Sequence, residues 1–253
     1  MISMNRTVLI TGASEGLGAK IAQAYGAQGY NVIVNYFQNE TAANEVVASI
    51  GNDQALALQA DVRDKAQVAQ LVASGKARFD RIDTVVNNAL VGFKFDPVAQ
   101  KKFEDLTWAD HQTQLDGTLK GAFNVISSVY PILKTQKYGR IVNIGTNLFQ
   151  NPVVPYHEYT TAKAALLGMT RNLAAEFGQY GITVNMVSGG LLKTTRASAV
   201  TTPEVFQMIA QSTPLQKVTT PDDVAQVVVF VGSEKAGGLT GQNITVDGGL
   251  TMN

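Results

Sequence analysis

Apolar positions along the chain follow two rhythms, short near-continuous runs and longer stripes spaced three and four residues apart. The runs Val8 to Thr11, Asn31 to Tyr36, Ala55 to Ala60, Ile82 to Ala89, Arg140 to Gly145, Ile182 to Val187 and Asn243 to Val246 read as strands. Helical stripes lie between them: Leu17, Ile21 and Tyr25; Ala43, Val46, Val47 and Ile50; Val68, Leu71 and Val72. One long helix is expected from near Trp108, with Leu115, Leu119, Ala122, Phe123 and Ile126 on its stripe. Thr160 to Tyr180 carries Leu166, Met169, Leu173 and Phe177 on one side, and Asp222 to Val231 reads as the last helix. The Gly-, Thr- and Pro-bearing stretch from Ser188 to Pro221 holds a short helical piece near Glu204 to Ile209.

Strands apolar on both faces are covered on both sides, which means a parallel sheet between two layers of helices. Right-handed crossovers and a glycine turn after the first strand select a doubly wound α/β arrangement over a closed barrel. The expectation is a three-layer fold with a mostly or wholly parallel seven-stranded sheet. No Pro-, Gly- or Ser-rich linker divides the chain, so residues 1–253 are expected to form one domain.

Composition narrows the function classes. Of 253 residues, 45% are hydrophobic and 16% charged, which excludes a disordered chain. The 20 Lys+Arg balance the 20 Asp+Glu, so nothing suggests a nucleic-acid partner. With no cysteine there is no disulfide, thiolate nucleophile or Cys-ligated metal. No apolar stretch approaches the roughly 18 residues of a membrane span. The opening MISMNRTVLI has no long hydrophobic region or small-residue cleavage site, so a cytoplasmic location is expected. Neither His111 nor His157 has a metal or acid–base partner nearby in sequence, and no metal site is expected.

The densest chemistry sits after the first strand. Gly12, Gly16 and Gly18 lie between a strand and a helix, with the spacing G-x-x-x-G-x-G. Such a turn lets backbone approach a pyrophosphate, while the helix N-terminus offers unpaired N–H groups and a positive dipole end.

Thr11-Gly12-Ala13-Ser14-Glu15-Gly16-Leu17-Gly18 resembles the cofactor turn of the short-chain dehydrogenase/reductase family. Further motifs follow in the family's order: Asp61-Val62, Asn87-Asn88-Ala89, Gly145-Thr146, Tyr159-x-x-x-Lys163, Ile182-Thr183-Val184-Asn185, Leu239-Thr240-Gly241-Gln242 and Val246-Asp247-Gly248-Gly249. The nearest flavour is the bacterial 3-oxoacyl-acyl-carrier-protein reductase type. The resemblance implies a Rossmann-type fold and a nicotinamide nucleotide. Gly12, Ser14, Glu15, Gly16, Leu17 and Gly18 would hold it at the turn. Asn35, Asp61, Val62, Asn88, Ala89 and Gly190 would line its path, with Tyr159 and Lys163 at the reactive end.

Tyr159 and Lys163 stand four apart and share one helix face. An ammonium beside a phenol is expected to favour the phenolate and lower the phenol's pKa. By resemblance, Tyr159 is the general acid of a carbonyl reduction. Thr146, where the family has Ser, orients the carbonyl, and Lys163 tunes Tyr159 and holds the nicotinamide ribose. Thr118 occupies the place of the family's catalytic Asn, but a hydroxyl cannot offer both an amide donor and a carbonyl acceptor. Asp116, two residues away, would lie on another face. Leu90 replaces a Gly after Asn-Asn-Ala, so it must point away or constrain the nicotinamide half. Gly189-Gly190 replaces the usual Pro-Gly.

Asn35-Tyr36-Phe37-Gln38 lacks the Asp that would repel a 2′-phosphate, so NADP(H) is preferred over NAD(H), although Glu15 opposes that choice. Leu148, Phe149, Phe93 and Phe95 suit an apolar carbonyl substrate, a small ketone or an acyl thioester delivered by acyl carrier protein. Residues Leu191 to Pro214 resemble the family's substrate lid. A homotetramer or homodimer is expected from the resemblance. Two other classes fit the same residues: a nucleotide-binding sensor or assembly subunit with little catalysis, and an alcohol or polyol dehydrogenase.

Overall fold

The computed structural model describes residues 6–96, 100–193, 195 and 197–252. The opening residues 1–5 and positions 194 and 196 of the expected lid lie outside the described residues. Seven strands form one sheet: β1 (Thr7–Ile10), β2 (Asn31–Tyr36), β3 (Ala55–Gln59), β4 (Thr84–Asn87), β5 (Gly139–Thr146), β6 (Ile182–Gly189) and β7 (Asn243–Val246). Their order is β3-β2-β1-β4-β5-β6-β7, every pair parallel. The order reverses at β1, with β2 and β3 added on one side of it and β4 to β7 on the other. That switch point opens a crevice at the carboxyl ends of β1 and β4, the usual ligand position in such sheets.

Helices α1 (Gly16–Ala27), α2 (Glu40–Ile50) and α3 (Lys65–Phe79) serve the first half of the sheet. Then come α4 (Trp108–Leu115), α5 (Gly121–Gln136), α6 (His157–Phe177), α7 (Pro203–Ser212) and α8 (Pro221–Val231). Two large apolar clusters lie on opposite faces of the sheet. One gathers Ile21, Tyr25, Val34, Val224 and Val228, the other Leu9, Leu71, Val125, Leu133 and Phe177. Helices α2, α3 and α8 start from side-chain caps. Asn39 Oδ1 accepts from Ala42 N–H, Asp64 Oδ1 from Ala66 and Gln67 N–H, and Thr220 and Asp223 cap each other reciprocally.

The single long helix expected from Trp108 is instead two helices joined by a wider π turn, Asp116–Lys120. Gly117 and Gly121 flank the cause. A Cβ on Gly117 would sit 2.7 Å from Val91 Cβ, and one on Gly121 would sit 2.8 Å from Val62 Cγ2. The helix is pressed against two chain segments here, and the extra residue in the turn relieves the crowding while re-aiming Thr118 inward.

Candidate active site

The glycine turn follows β1 directly. Gly12 and Gly16 adopt φ of +60° and +58°. A Cβ on Gly12 would stand 2.9 Å from Ala89 Cα, and one on Gly18 would stand 2.3 Å from the Gly12 carbonyl. Backbone therefore meets backbone here, as a pyrophosphate cradle requires. α1 differs from the well-capped helices in that no side chain caps it; Glu15 precedes it in extended conformation. Its first turn can receive an anion in place of a cap. Leu17 leans on the core beneath, Ser14 is partly exposed, and Thr195 lies 3.8 Å from where a Gly16 Cβ would be.

Asn88 clamps the turn to the end of β4. Its Nδ2 donates to the Thr11 and Gly12 carbonyls at 2.9 and 3.0 Å, and the Asn88 and Ala89 N–H groups donate to Thr11 Oγ1 at 3.0 Å. Asn35 differs from its expected place along the nucleotide. It is buried, accepting from Gly12 N–H at 3.2 Å and donating to the Tyr36, Leu58 and Ala60 carbonyls. With its amide so engaged, it braces the turn from beneath.

Asp61 stands at the edge of the crevice, gripped by Arg63 through Nε at 3.0 Å and Nη2 at 2.7 Å. The guanidinium bonds hold the Asp61 carboxyl below its usual range. Arg63 also sits 5.7 Å from the centre of the exposed Phe37 ring, just past β2. Val62 points inward, and its carbonyl accepts from Asn124 Nδ2 at 2.9 Å. Gly190 lies at the other end, where a Cβ would stand 2.9 Å from Asp247 Cβ. These residues fit a dinucleotide stretched along the carboxyl edge of the sheet: an open helix start, a backbone cradle, and no side chain filling the turn.

β5 delivers Thr146 and α6 delivers Tyr159 and Lys163. Tyr159 and Lys163 are 4% and 3% exposed. Thr146 bonds the Tyr159 hydroxyl, and Lys163 Nζ donates to the Ile144 carbonyl at 2.7 Å. The pKa of the Tyr159 phenol is raised, where a lowered one was expected from the neighbouring Lys163 and the nicotinamide. Burial pushes the phenol up to about 12, the Thr146 bond opposing it, and burial brings Lys163 down to about 8. Lys163 Nζ is 5.7 Å from the Tyr159 ring centre, and burial is the largest influence on the phenol.

What excludes water is aromatic. The Phe93 ring stacks on Tyr159 at 4.2 Å and 12°, and Phe95 meets it edge-on at 5.6 Å. Tyr156, Leu148, Leu90 and Val154 complete the cluster. Leu90 thus joins the wall around Tyr159. Phe149 packs elsewhere, against Leu166 and Met186. The Phe95 N–H donates to the Ala197 carbonyl at 2.9 Å, tying this loop to the segment that follows β6.

Thr118, 4% exposed, faces a small cavity beside Lys163, while Asp116 lies along an outer groove and accepts from Gln112. His111 stacks on Trp108 and His157 meets Phe103 edge-on. Among the described residues no group of three His, Asp or Glu could hold a metal, and no helix is long and apolar enough to cross a membrane.

A family model described as enoyl-(acyl carrier protein) reductase matches residues 12–251. A 3-oxoacyl-[acyl-carrier-protein] reductase of Synechocystis sp. is 36% identical over 253 residues, covering 98% of this chain and 97% of the relative. The FabG reductase of Staphylococcus epidermidis is 34% identical, covering 98% and 100%. Among solved structures, a putative gluconate dehydrogenase from Agrobacterium tumefaciens superposes with a TM-score of 0.89 at 28% identity, covering 99% of this chain and 98% of that one.

Proposed function

The chain belongs to the short-chain dehydrogenase/reductase family of oxidoreductases, and from that premise we propose that it reduces a 3-oxoacyl thioester or similar apolar ketone with NADP(H). Bound reduced nicotinamide supplies the hydride. Tyr159, kept protonated across the neutral range by burial, donates its proton to the carbonyl oxygen, and C=O becomes CH–OH. The Thr146 hydroxyl orients the same oxygen. Lys163, anchored on the Ile144 carbonyl, sets a positive charge beside the phenolate left behind. The observation carrying this reading is the burial of Thr146, Tyr159 and Lys163 together at the carboxyl edge of the sheet.

Two features support the finer assignments. Arg63 beside Phe37 puts a guanidinium past β2, where an Arg accommodates the 2′-phosphate of NADP. The aromatic wall of Phe93, Phe95 and Tyr156 suits an apolar acyl or alkyl group. An acyl carrier protein is the proposed donor of the thioester. The exposed Phe123, in a groove with Leu119, Met169 and Leu173, supports pairing of copies into a cytoplasmic dimer or tetramer. Steady-state assays with NADPH and NADH test the proposal against acetoacetyl thioesters, diketones and secondary alcohols. NADPH-dependent loss of the thioester ketone is expected. Turnover confined to alcohols with NAD would replace it with a dehydrogenase.

A further inference from the structure

Beneath Lys163 lies a cavity of about 10 Å³, bounded by Asn87 at the end of β4, Thr118 in the π turn, Gly117, Gly121, Lys163 and Leu166. That is close to the smallest space that holds one water, roughly 10–15 Å³, provided two to four polar partners converge on it. Two polar atoms in this wall, Asn87 Oδ1 and Thr118 Oγ1, have no hydrogen-bond partner among the described residues. Both side chains are over nine-tenths buried, a costly arrangement for atoms left unpaired. The third group is Lys163, whose three N–H donors include one given to the Ile144 carbonyl.

The direction in which Asn87 faces follows from a chain of bonds that starts on α6. The Leu166 carbonyl can only accept, so Thr170 Oγ1 donates to it at 2.8 Å. Thr170 must then accept from Asn143 Nδ2, also at 2.8 Å. Asn143 therefore turns its Oδ1 toward Asn87, whose Nδ2 donates to it at 2.8 Å. Each link leaves the next a single orientation, and the last places the Asn87 carbonyl oxygen at the cavity. An acceptor there complements the donors of Lys163.

We infer that Asn87 and Thr118 hold one ordered water against Lys163 Nζ, and that Asn143 and Thr170 are positioning residues that decide which end of the Asn87 amide faces it. The water accepts from Lys163, donates to Asn87 Oδ1 and exchanges a bond with the Thr118 hydroxyl. Thr118 and Asn87 together thereby supply what one amide side chain at position 118 would offer. The consequence for turnover rests on the reductase reading, whereas the site itself does not.

Losing this acceptor weakens the protonated form of Lys163. Among the described residues of β4, β5, β6 and the packed helices, Tyr159 is the ionisable neighbour; Asp116 and Lys120 face the outer groove, and burial accounts for the lowered Lys163 pKa. The test pairs high-resolution crystallography of the nucleotide-free protein with NMR titration of ¹³C-labelled lysine, Lys163 being assigned by K163R. Wild type is expected to show one density peak within hydrogen-bond reach of Asn87 Oδ1, Thr118 Oγ1 and Lys163 Nζ. Thr118→Val should lose the peak and weaken proton binding at Lys163 about ten-fold, while Thr118→Ser keeps both. Thr170→Val should shift the titration the same way without touching the cavity. A dry wild-type cavity, identical titrations for the Val and Ser variants at 118, or a wild-type titration in Thr170→Val would each overturn the inference. Neither measurement needs turnover, so its failure is separate from any failure of the reductase reading.

Discussion

The two ends of the crevice are made of different materials. At the glycine turn, backbone packs on backbone: Gly12 against Ala89, Gly18 against the Gly12 carbonyl, with Asn88 as the clamp. At the reacting end, side chains do the packing: Phe93 lies flat on Tyr159, and Lys163 is sealed beneath, bonded to the Ile144 carbonyl. A backbone cradle tolerates no added atom. A side-chain wall can be remodelled one residue at a time, which lets one scaffold serve different carbonyl compounds.

The comparison breaks most sharply at Gly18. A Val there places its Cβ 2.3 Å from the Gly12 carbonyl and 2.6 Å from Asn88 Nδ2, so the turn must shift. Nucleotide affinity should fall on the order of 100-fold by calorimetry, while Tyr159 keeps its surroundings. Unchanged affinity would mean that the turn is not the cradle.

Lys163→Met should act the opposite way on stability. A lysine whose pKa falls from 10.5 to about 8 on folding binds its proton more weakly in the native state, so its charge opposes folding below pH 8. That penalty fades as pH rises from about 8 to 10.5. Removing the charge should abolish turnover yet stabilise the protein at pH 7 by roughly 3 kcal/mol, with a gain of several degrees in melting temperature. The gain should shrink toward pH 10, and a gain that persists there would refute a buried-charge origin.

Phe93→Ala carries the smallest effect. Opening the stack hydrates the phenol, so Tyr159 should ionise nearer to 10 than to about 12. Ultraviolet titration read against Tyr159→Phe checks this. An unmoved Tyr159 would assign its burial to the remaining wall.

Much of this was legible in the chain. The seven apolar runs became the seven strands, with ends shifted by a residue or two, because strands covered on both faces leave little choice of identity. The split of the long helix at Asp116–Lys120 was not legible. The apolar stripe passes through it unbroken, and only the packing of Gly117 on Val91 and Gly121 on Val62 forces the wider turn. Tyr159 and Lys163 stood out through their resemblance to the family's Tyr-x-x-x-Lys motif, but the direction of the Tyr159 shift depends on how many apolar groups surround it. Asn143 did leave a signal: an amide between the apolar Val142 and Ile144 of a strand must find buried partners. Asn35 carried the same mark, and its side chain braces the turn for that reason.

The central claim, that a nicotinamide nucleotide lies along the carboxyl edge of the sheet and Tyr159 is the acid beside it, meets its most direct test in one preparation of Tyr159→Phe. NADPH affinity and NADPH oxidation in the presence of a ketone are measured side by side. The account predicts affinity near that of the unaltered protein with turnover reduced about 10²- to 10⁴-fold. Full turnover without the phenol, or no measurable binding of nucleotide by either protein, would contradict it.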